Sequence, residues 1–406
     1  MKRIFVFCMM ILCGAASFAQ EAMPRFEIPT ARSSGMGGTH TAYTDNVFAL
    51  LVNPAAIMRV EQRSFFALSP TLFSPESTFN LIGPFMDVAR GNLSALGSAA
   101  DTLSKKNGKV PLGFDIREFP LSVAWVADGF GFGLWNRVFV NPSIIGTNVV
   151  LDAYADVILP VGFAFKILET DSHTLDLGVT VKPFVRVRAH ESVSITDLMD
   201  NADFVDDISV PLIAGAGVDM GLLYRWDMGL QAGLTFNDIF TRGAAAGTIV
   251  GKKTSDYYYV PFSMDIGLAY DFPLGKYWTT APGFLGKTTF TLAADYRDLF
   301  NIFQQDDYSK RNAALGLGIG FQIAVFDMFK FRMGMNEMLP AVGLGFDLGI
   351  FEIDAAYYGR EFGLEPGQLS AAALDLTIAI RPDAKKRTWP WTQGSVVGLF
   401  TGKKEK

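Results

Sequence analysis

Lys182, Arg186 and Arg188 share parity within one stretch of alternating residues, so an extended chain presents all three on one face. Such a ladder can receive the carboxylate of a ligand, or pair with acids on neighbouring strands. The chain offers little else that could do chemistry. Its three histidines, His40, His173 and His190, lie in separate segments, which disfavours a histidine-based metal site or a catalytic triad. No G-x-S-x-G elbow occurs. Gly247-Thr248-Ile249-Val250-Gly251-Lys252-Lys253 is one residue short of a phosphate loop and lacks Ser or Thr after its first lysine, so it reads as an outer loop. Asp197, Asp200, Asp203, Asp206 and Asp207 cluster without the spacing of an EF-hand and read as a solvated loop face. No catalytic residue, metal or cofactor is expected, and the chain is not read as an enzyme.

The first residues decide the compartment. Lys2 and Arg3 precede an apolar run from Ile4 to Leu12, and Ser17-Phe18-Ala19 supplies a cleavage site before Gln20, so residues 1–19 read as a secretory signal peptide. Both cysteines, Cys8 and Cys13, fall inside it, which leaves the exported chain without a disulfide or a thiolate metal site. Without Lys2 and Arg3 the chain carries 33 basic and 41 acidic residues, a formal charge of −8 that argues against nucleic acid as a partner. Mean hydropathy is +0.24, yet after the signal no uncharged apolar stretch reaches the roughly 18 residues of a membrane helix. The apolarity must sit in shorter pieces, as in a secreted β-protein or an outer-membrane barrel.

Those pieces follow period two. In the stretch from Arg311 to Ile323, Leu315, Leu317, Ile319, Phe321 and Ile323 alternate with a row that includes Gly316, Gly318 and Gly320. A soluble strand would carry solvated polar residues opposite its core face, and repeated glycine weakens a strand without packing anything. Met264, Ile266, Leu268 and Tyr270 alternate in the same way with Asp265, Gly267, Ala269 and Asp271, and Val342, Leu344, Phe346 and Leu348 with Gly343, Gly345, Asp347 and Gly349. A membrane barrel accounts for both rows: the apolar face meets lipid, and the other lines a lumen where glycine leaves room for a plug or a ligand. Strands are predicted over 63–72, 118–127, 129–140, 152–168, 174–188, 211–225, 228–237, 260–272, 287–297, 311–324, 326–336, 340–349, 351–359 and 370–381. Short connections at Asp128-Gly129, 169–173, Trp226-Asp227, Asp327 and Ile350 share one rim, expected to be periplasmic and to carry both termini; the longest ones, 73–117, 189–210, 238–259, 298–310 and 360–369, share the other. The expected fold is all-β: an antiparallel transmembrane β-barrel of about fourteen strands with an N-terminal hatch. Its divisions are signal peptide 1–19, hatch 20–62, barrel 63–381 and a basic periplasmic tail 382–406.

Two residues break the apolar rows. Asn136 would face hydrocarbon if the third strand stayed regular, and Pro183 cannot donate to the ladder and points to a bulge or an unpaired site. The lumen-facing set includes Asp156, Lys166, Asp176, Asp219, Asp265, Asp295, Lys330, Arg332, Asp347, Glu352, Asp354 and Asp375, besides the basic ladder. Mixed charges of this kind are tolerated in a wet interior or against a plug, not in lipid.

The hatch carries the most specific pattern. Ala31-Arg32-Ser33-Ser34-Gly35-Met36-Gly37-Gly38 leads to Ala42 and Asp45, read as a helix cap, and then to Ala49 and Asn53-Pro54-Ala55. This pattern resembles the N-terminal signature of the FadL-like outer-membrane family, which includes long-chain fatty acid and hydrocarbon transporters and the PorV-type proteins. The resemblance implies a fourteen-stranded barrel closed by a hatch, with Gly35, Gly37, Gly38, Asp45, Asn53, Pro54 and Ala55 as hatch residues. It also implies a kinked third strand with a lateral opening, where Asn136 and Pro183 are the candidates. The chain departs from the family in the tail from Pro382 to Lys406, whose lysines suggest a periplasmic protein partner. The expected function is passive uptake of hydrophobic small molecules such as fatty acids or lipids across the outer membrane, with Lys182, Arg186 and Arg188 receiving a carboxylate. The alternatives are a PorV-like scaffold for exported proteins and a general aqueous porin.

Overall fold

A computed structural model describes residues 20–26, 29–60, 64–73, 109–111, 113–118, 122–145, 148–194, 209–250, 257–279, 284–303 and 310–381. The signal peptide, the basic tail, the aspartate cluster at 197–207, Lys252, Lys253 and the apolar loop 74–108 lie outside the described residues. The strands are β1 (Gln20–Ala22), β2 (Ser64–Phe73), β3 (Lys109–Pro111), β4 (Gly113–Arg117), β5 (Val123–Ala127), β6 (Phe130–Ile145), β7 (Asn148–Ile158), β8 (Val161–Glu169), β9 (His173–Ser194) and β10 (Val210–Trp226). They continue with β11 (Leu230–Val250), β12 (Tyr257–Tyr259), β13 (Ser263–Pro273), β14 (Thr288–Tyr296), β15 (Leu317–Val325), β16 (Phe329–Asn336), β17 (Leu339–Asp347), β18 (Phe351–Glu361) and β19 (Ser370–Ile380). Because β3–β5, β7–β8 and β12–β13 each continue a single line, β2 to β19 make fourteen staves among the described residues. Each pairs antiparallel with the next, and β19 pairs back onto β2, with Leu374 opposite Leu72 and Ile378 opposite Leu68. The sheet is therefore closed, which removes the free edge that lipid could not satisfy.

Turn chemistry fixes the rims. At Asp128 and Gly129 both φ angles are positive, 49° and 80°, the signature of the Asp-Gly hairpin turn that matches strand twist. The other expected short turns also join paired strands, at 170–172, 227–229, 326–328 and 348–350. Lengths on the opposite side are unequal. Strands β14 to β18 have 8 to 11 residues, near the 9–11 that cross a hydrocarbon layer. Strands β6, β9, β10 and β11 have 16, 22, 17 and 21. With short turns holding the other ends, this half of the wall rises past the long-loop rim.

Several predicted loops are thereby corrected. Residues 109–111, 113–117, 189–194 and 238–250 are strand, whereas 313–316 is a 3-10 turn. The stretch Gly243-Ala244-Ala245-Ala246-Gly247 carries no hydrophobic alternation, so its pairing with β10, and at Gly243 and Ala244 with β12, makes it a strand.

The faces sort as the alternation requires. Leu344 is 60% exposed, Met333 57% and Leu292 55%, all on the outer wall, while Asp156, Arg186, Asp219, Asp295, Arg332, Asp354 and Asp375 are buried inside. This inverts a soluble barrel. Lys166 keeps its register opposite the buried Asp176, one residue before an irregularity, and pairs with Glu169 at 2.5 Å at the exposed short-turn rim.

Inside the barrel lies the N-terminal segment, with helices α1 (Ala31–Gly35) and α2 (Ala49–Val52) and a 3-10 turn, Pro54–Arg59. The glycine rows meet it. A Cβ on Gly320 would stand 2.2 Å from the Met36 carbonyl oxygen, one on Gly318 2.4 Å from that of Gly37, and one on Gly178 2.2 Å from the Pro54 carbonyl carbon. Gly343 likewise abuts Gly35, and Gly233 and Gly267 abut Thr41. Backbone thus packs on backbone at the staves of β9, β11, β13, β15 and β17. The segment begins near the long-loop rim, where β1 pairs parallel with β12, rather than at the short-turn rim expected for the terminus.

Candidate functional site

Asn53 pins the segment. It is fully buried; its Nδ2 donates to the carbonyl oxygens of Thr41 (2.8 Å) and Leu222 (3.3 Å), and its Oδ1 accepts from the Ala55 amide at 3.1 Å. Pro54 then takes the first position of the 3-10 turn, where no amide donor is needed, and Ala55 is fully buried. Gly37 and Gly38, at φ 67° and 80°, turn the chain after α1. Asp45 is not the helix cap expected of it. It pairs with Arg32 at 2.6 Å, Arg32 stacks over Tyr43, and the Asn46 side chain accepts from Phe48 instead. All seven predicted hatch residues therefore lie within this segment, most of them in its contacts with the wall.

The basic ladder meets carboxylates of the chain itself, one of the two readings its spacing allows. Lys182 bridges Asp219 (2.7 Å) and Asp238 (3.0 Å). Arg186 forks onto Asp156 at 2.6 and 2.7 Å and donates to the Pro24 carbonyl, and Arg188 meets Glu21 at 2.9 Å and the Ala22 carbonyl. The three cations are spent on the chain's own carboxylates and on latching the N-terminal arm. Neighbouring staves continue the pattern, with Arg117 on Asp375 at 2.6 Å and Arg137 forked onto Asp115 at 2.8 Å. The Tyr154 ring lies between the guanidinium groups of Arg137 and Arg186.

The third predicted strand, expected to be kinked beside a lateral opening, is itself continuous. Strand β6 runs unbroken from Phe130 to Ile145, whereas the staves flanking it are interrupted, between β4 and β5 on one side and at Leu159-Pro160 on the other. Asn136 keeps the outward register and serves the first break: its carbonyl accepts from the Glu118 amide at 2.7 Å, and its amide faces Ser122 Oγ at 3.4 Å. Pro183 makes no bulge. It sits in register opposite Ala216, and its missing donor falls at the second break, where its carbonyl accepts from Leu159 at 2.9 Å. Between the breaks, Trp135 is fully buried against Phe48 of the inner segment, ring centroids 6.4 Å apart, with its indole N–H unpartnered. Sequence reasoning passed over Trp135, although a tryptophan on the glycine-bearing face of its strand was a readable signal.

Among the described residues the lumen holds an inner and an outer cavity. The inner one, ≈ 130 Å³, has an apolar wall of Phe26, Phe48, Leu51 and Val52 and a polar end at His40, Asp265 and Arg297. The outer one, ≈ 500 Å³, opens toward the long-loop rim between Tyr154 and Glu337. Arg25 and Arg297 line both.

No family model matches the chain, and no curated protein does. Among solved structures the chain is similar to the Pseudomonas putida toluene transporter TodX, at 13% identity over 90% of this chain and 100% of that one, TM-score 0.47. It is also similar to the Ralstonia pickettii toluene transporter TbuX, at 14% over 87% and 98%, TM-score 0.45, and to a Pseudomonas aeruginosa FadL homologue, at 10% over 89% and 100%, TM-score 0.44.

Proposed function

We propose that this protein is an outer-membrane barrel for passive uptake of hydrophobic small molecules, with residues 20–62 as its hatch. The observation that carries the reading is the crossed lumen: the inner segment spans the bore on glycine rows and leaves beside it a small cavity walled by Phe26, Phe48, Leu51 and Val52. An apolar outer wall suits acyl chains, and an occluded bore disfavours a general aqueous porin. A solute entering from the long-loop rim reaches the inner cavity and leaves sideways at the interruptions beside β6, near Trp135, Asn136 and Pro183. Long-chain fatty acids are one substrate class that fits the apolar wall. The chain's residues supply binding and exclusion, with no covalent step. Titrating delipidated protein with oleate is expected to give saturable binding, and liposomes carrying the protein are expected not to swell in small sugars. Absence of binding, or rapid swelling, would contradict the proposal.

A further inference from the structure

The outer cavity differs in chemistry from a passage for uncharged hydrocarbons. Five guanidinium groups line it, those of Arg25, Arg137, Arg297, Arg311 and Arg360, against three carboxylates. The carboxylates are already committed. Asp298 pairs with Arg25 at 3.1 Å; Glu337 pairs with Arg311 at 3.1 Å and accepts from the Glu361 amide at 2.7 Å; Glu361 accepts from the amides of Gly363, Gly367 and Leu369. Arg297, by contrast, meets no carboxylate within ion-pair distance among the described residues. Its guanidinium donates to Asn336 Oδ1 at 2.6 Å, and its Nε is buried without a partner among the described residues. A guanidinium at a cavity wall that no carboxylate neutralises is suited to hold an anion by charge-assisted hydrogen bonds.

Two further observations give that anion a body. The wall carries aromatic faces, Tyr154, Tyr296 and Phe362, and two of them already stack under guanidinium groups, Arg137 over Tyr154 at 5.1 Å and Arg360 over Phe362 at 5.1 Å. The cavity, ≈ 500 Å³, is of ligand size. The neighbouring turn is also strained: Glu337 and Met338 both hold positive φ, 51° and 65°, a conformation that costs non-glycine residues and that the Arg311 and Glu361 contacts of Glu337 maintain.

We propose that the outer cavity binds an aromatic carboxylate, with the Arg297 guanidinium as its anchor. Because Arg25 and Arg297 line both cavities, the bound anion stands at the passage from the outer cavity to the inner one. This rests on the uptake reading and narrows its substrate class, from hydrophobic molecules in general to ring compounds bearing a carboxylate.

The test uses the full exported chain in uncharged detergent, titrated by calorimetry with 2-naphthoate, 2-methylnaphthalene, sodium sulfate and oleate. The expected result is saturable 2-naphthoate binding, at least about tenfold tighter than that of 2-methylnaphthalene or sulfate, as a charge-assisted hydrogen bond requires. Arg297→Gln is expected to weaken 2-naphthoate about tenfold or more and to leave 2-methylnaphthalene unchanged, with Arg297→Lys intermediate and heat-modifiable gel mobility confirming folded barrels. Equal binding of naphthoate and methylnaphthalene, or sulfate binding as tightly as naphthoate, overturns the proposal, and the wild-type comparison stands even where a variant fails to fold. Oleate binding without naphthoate binding overturns this inference alone. Binding of neither overturns the uptake reading with it.

Discussion

At the scale of single residues, the lumen holds charges whose partners are now known, and that changes what their removal should do. Lys182 sits between two carboxylates, so Lys182→Ala leaves Asp219 and Asp238 facing each other in a buried site. Stripping one member from such a group costs about 3–5 kcal/mol. The expected outcome is a markedly lower melting temperature in detergent, which thermal denaturation followed by circular dichroism would register; an unchanged melting curve with weaker ligand binding would restore the ligand role read from the sequence. Asn53→Ala removes three hydrogen bonds, one holding the segment to the stave carbonyl of Leu222 and two, to Thr41 and from Ala55, bracing the segment internally. A loss of about 1–3 kcal/mol in local stability is expected, seen as faster hydrogen exchange across residues 49–59 while the strands keep their protection. The sequence disclosed the identity of these residues but not their partners, because Asp238 reaches Lys182 only through register shifts between Ala216 and Met220 on the paired strand. Parity alone does not reveal such shifts.

At the scale of elements, glycine rows and interrupted staves divide the work. Gly320→Val is well suited to a strand in itself, yet its side chain would occupy the space of the Met36 carbonyl. The barrel is expected to form while the inner segment is displaced, so liposomes carrying the variant should swell in small sugars where the parent does not. Swelling indistinguishable from the parent would mean the segment does not close the bore. The interruption at Leu159-Pro160 makes the opposite prediction. Pro160→Val together with Pro183→Val returns two backbone donors to the wall, each worth about 1 kcal/mol when paired, so the barrel should melt no lower than the parent while oleate passage slows. Undiminished passage would remove this break from the route. Alternation made most staves legible, and the Asp128-Gly129 turn announced its own hairpin. The breaks were less visible, since one of the prolines that marks them, Pro183, lies on a strand that continues through it in register.

At the scale of the whole molecule, the account depends on one partition: aliphatic and aromatic rows outside a closed wall, charges and glycine inside, and a segment packed across the bore. That partition was readable from period two before any fold was known, because a strand with glycine opposite leucine has no use in water for its glycine face. The unequal height of the wall was not readable, as the small residues of β11 give no alternation to count. The chain has no cysteine after Cys13, so single cysteines placed at Leu292, Met333 and Leu344 in a chain starting at Gln20 can carry spin labels without interference. In reconstituted vesicles these labels are predicted to collide readily with oxygen dissolved in the bilayer and hardly at all with a water-soluble nickel chelate. Labels at all three positions that relax against the aqueous chelate would show that water, not lipid, touches the apolar rows, and would contradict the account at its base.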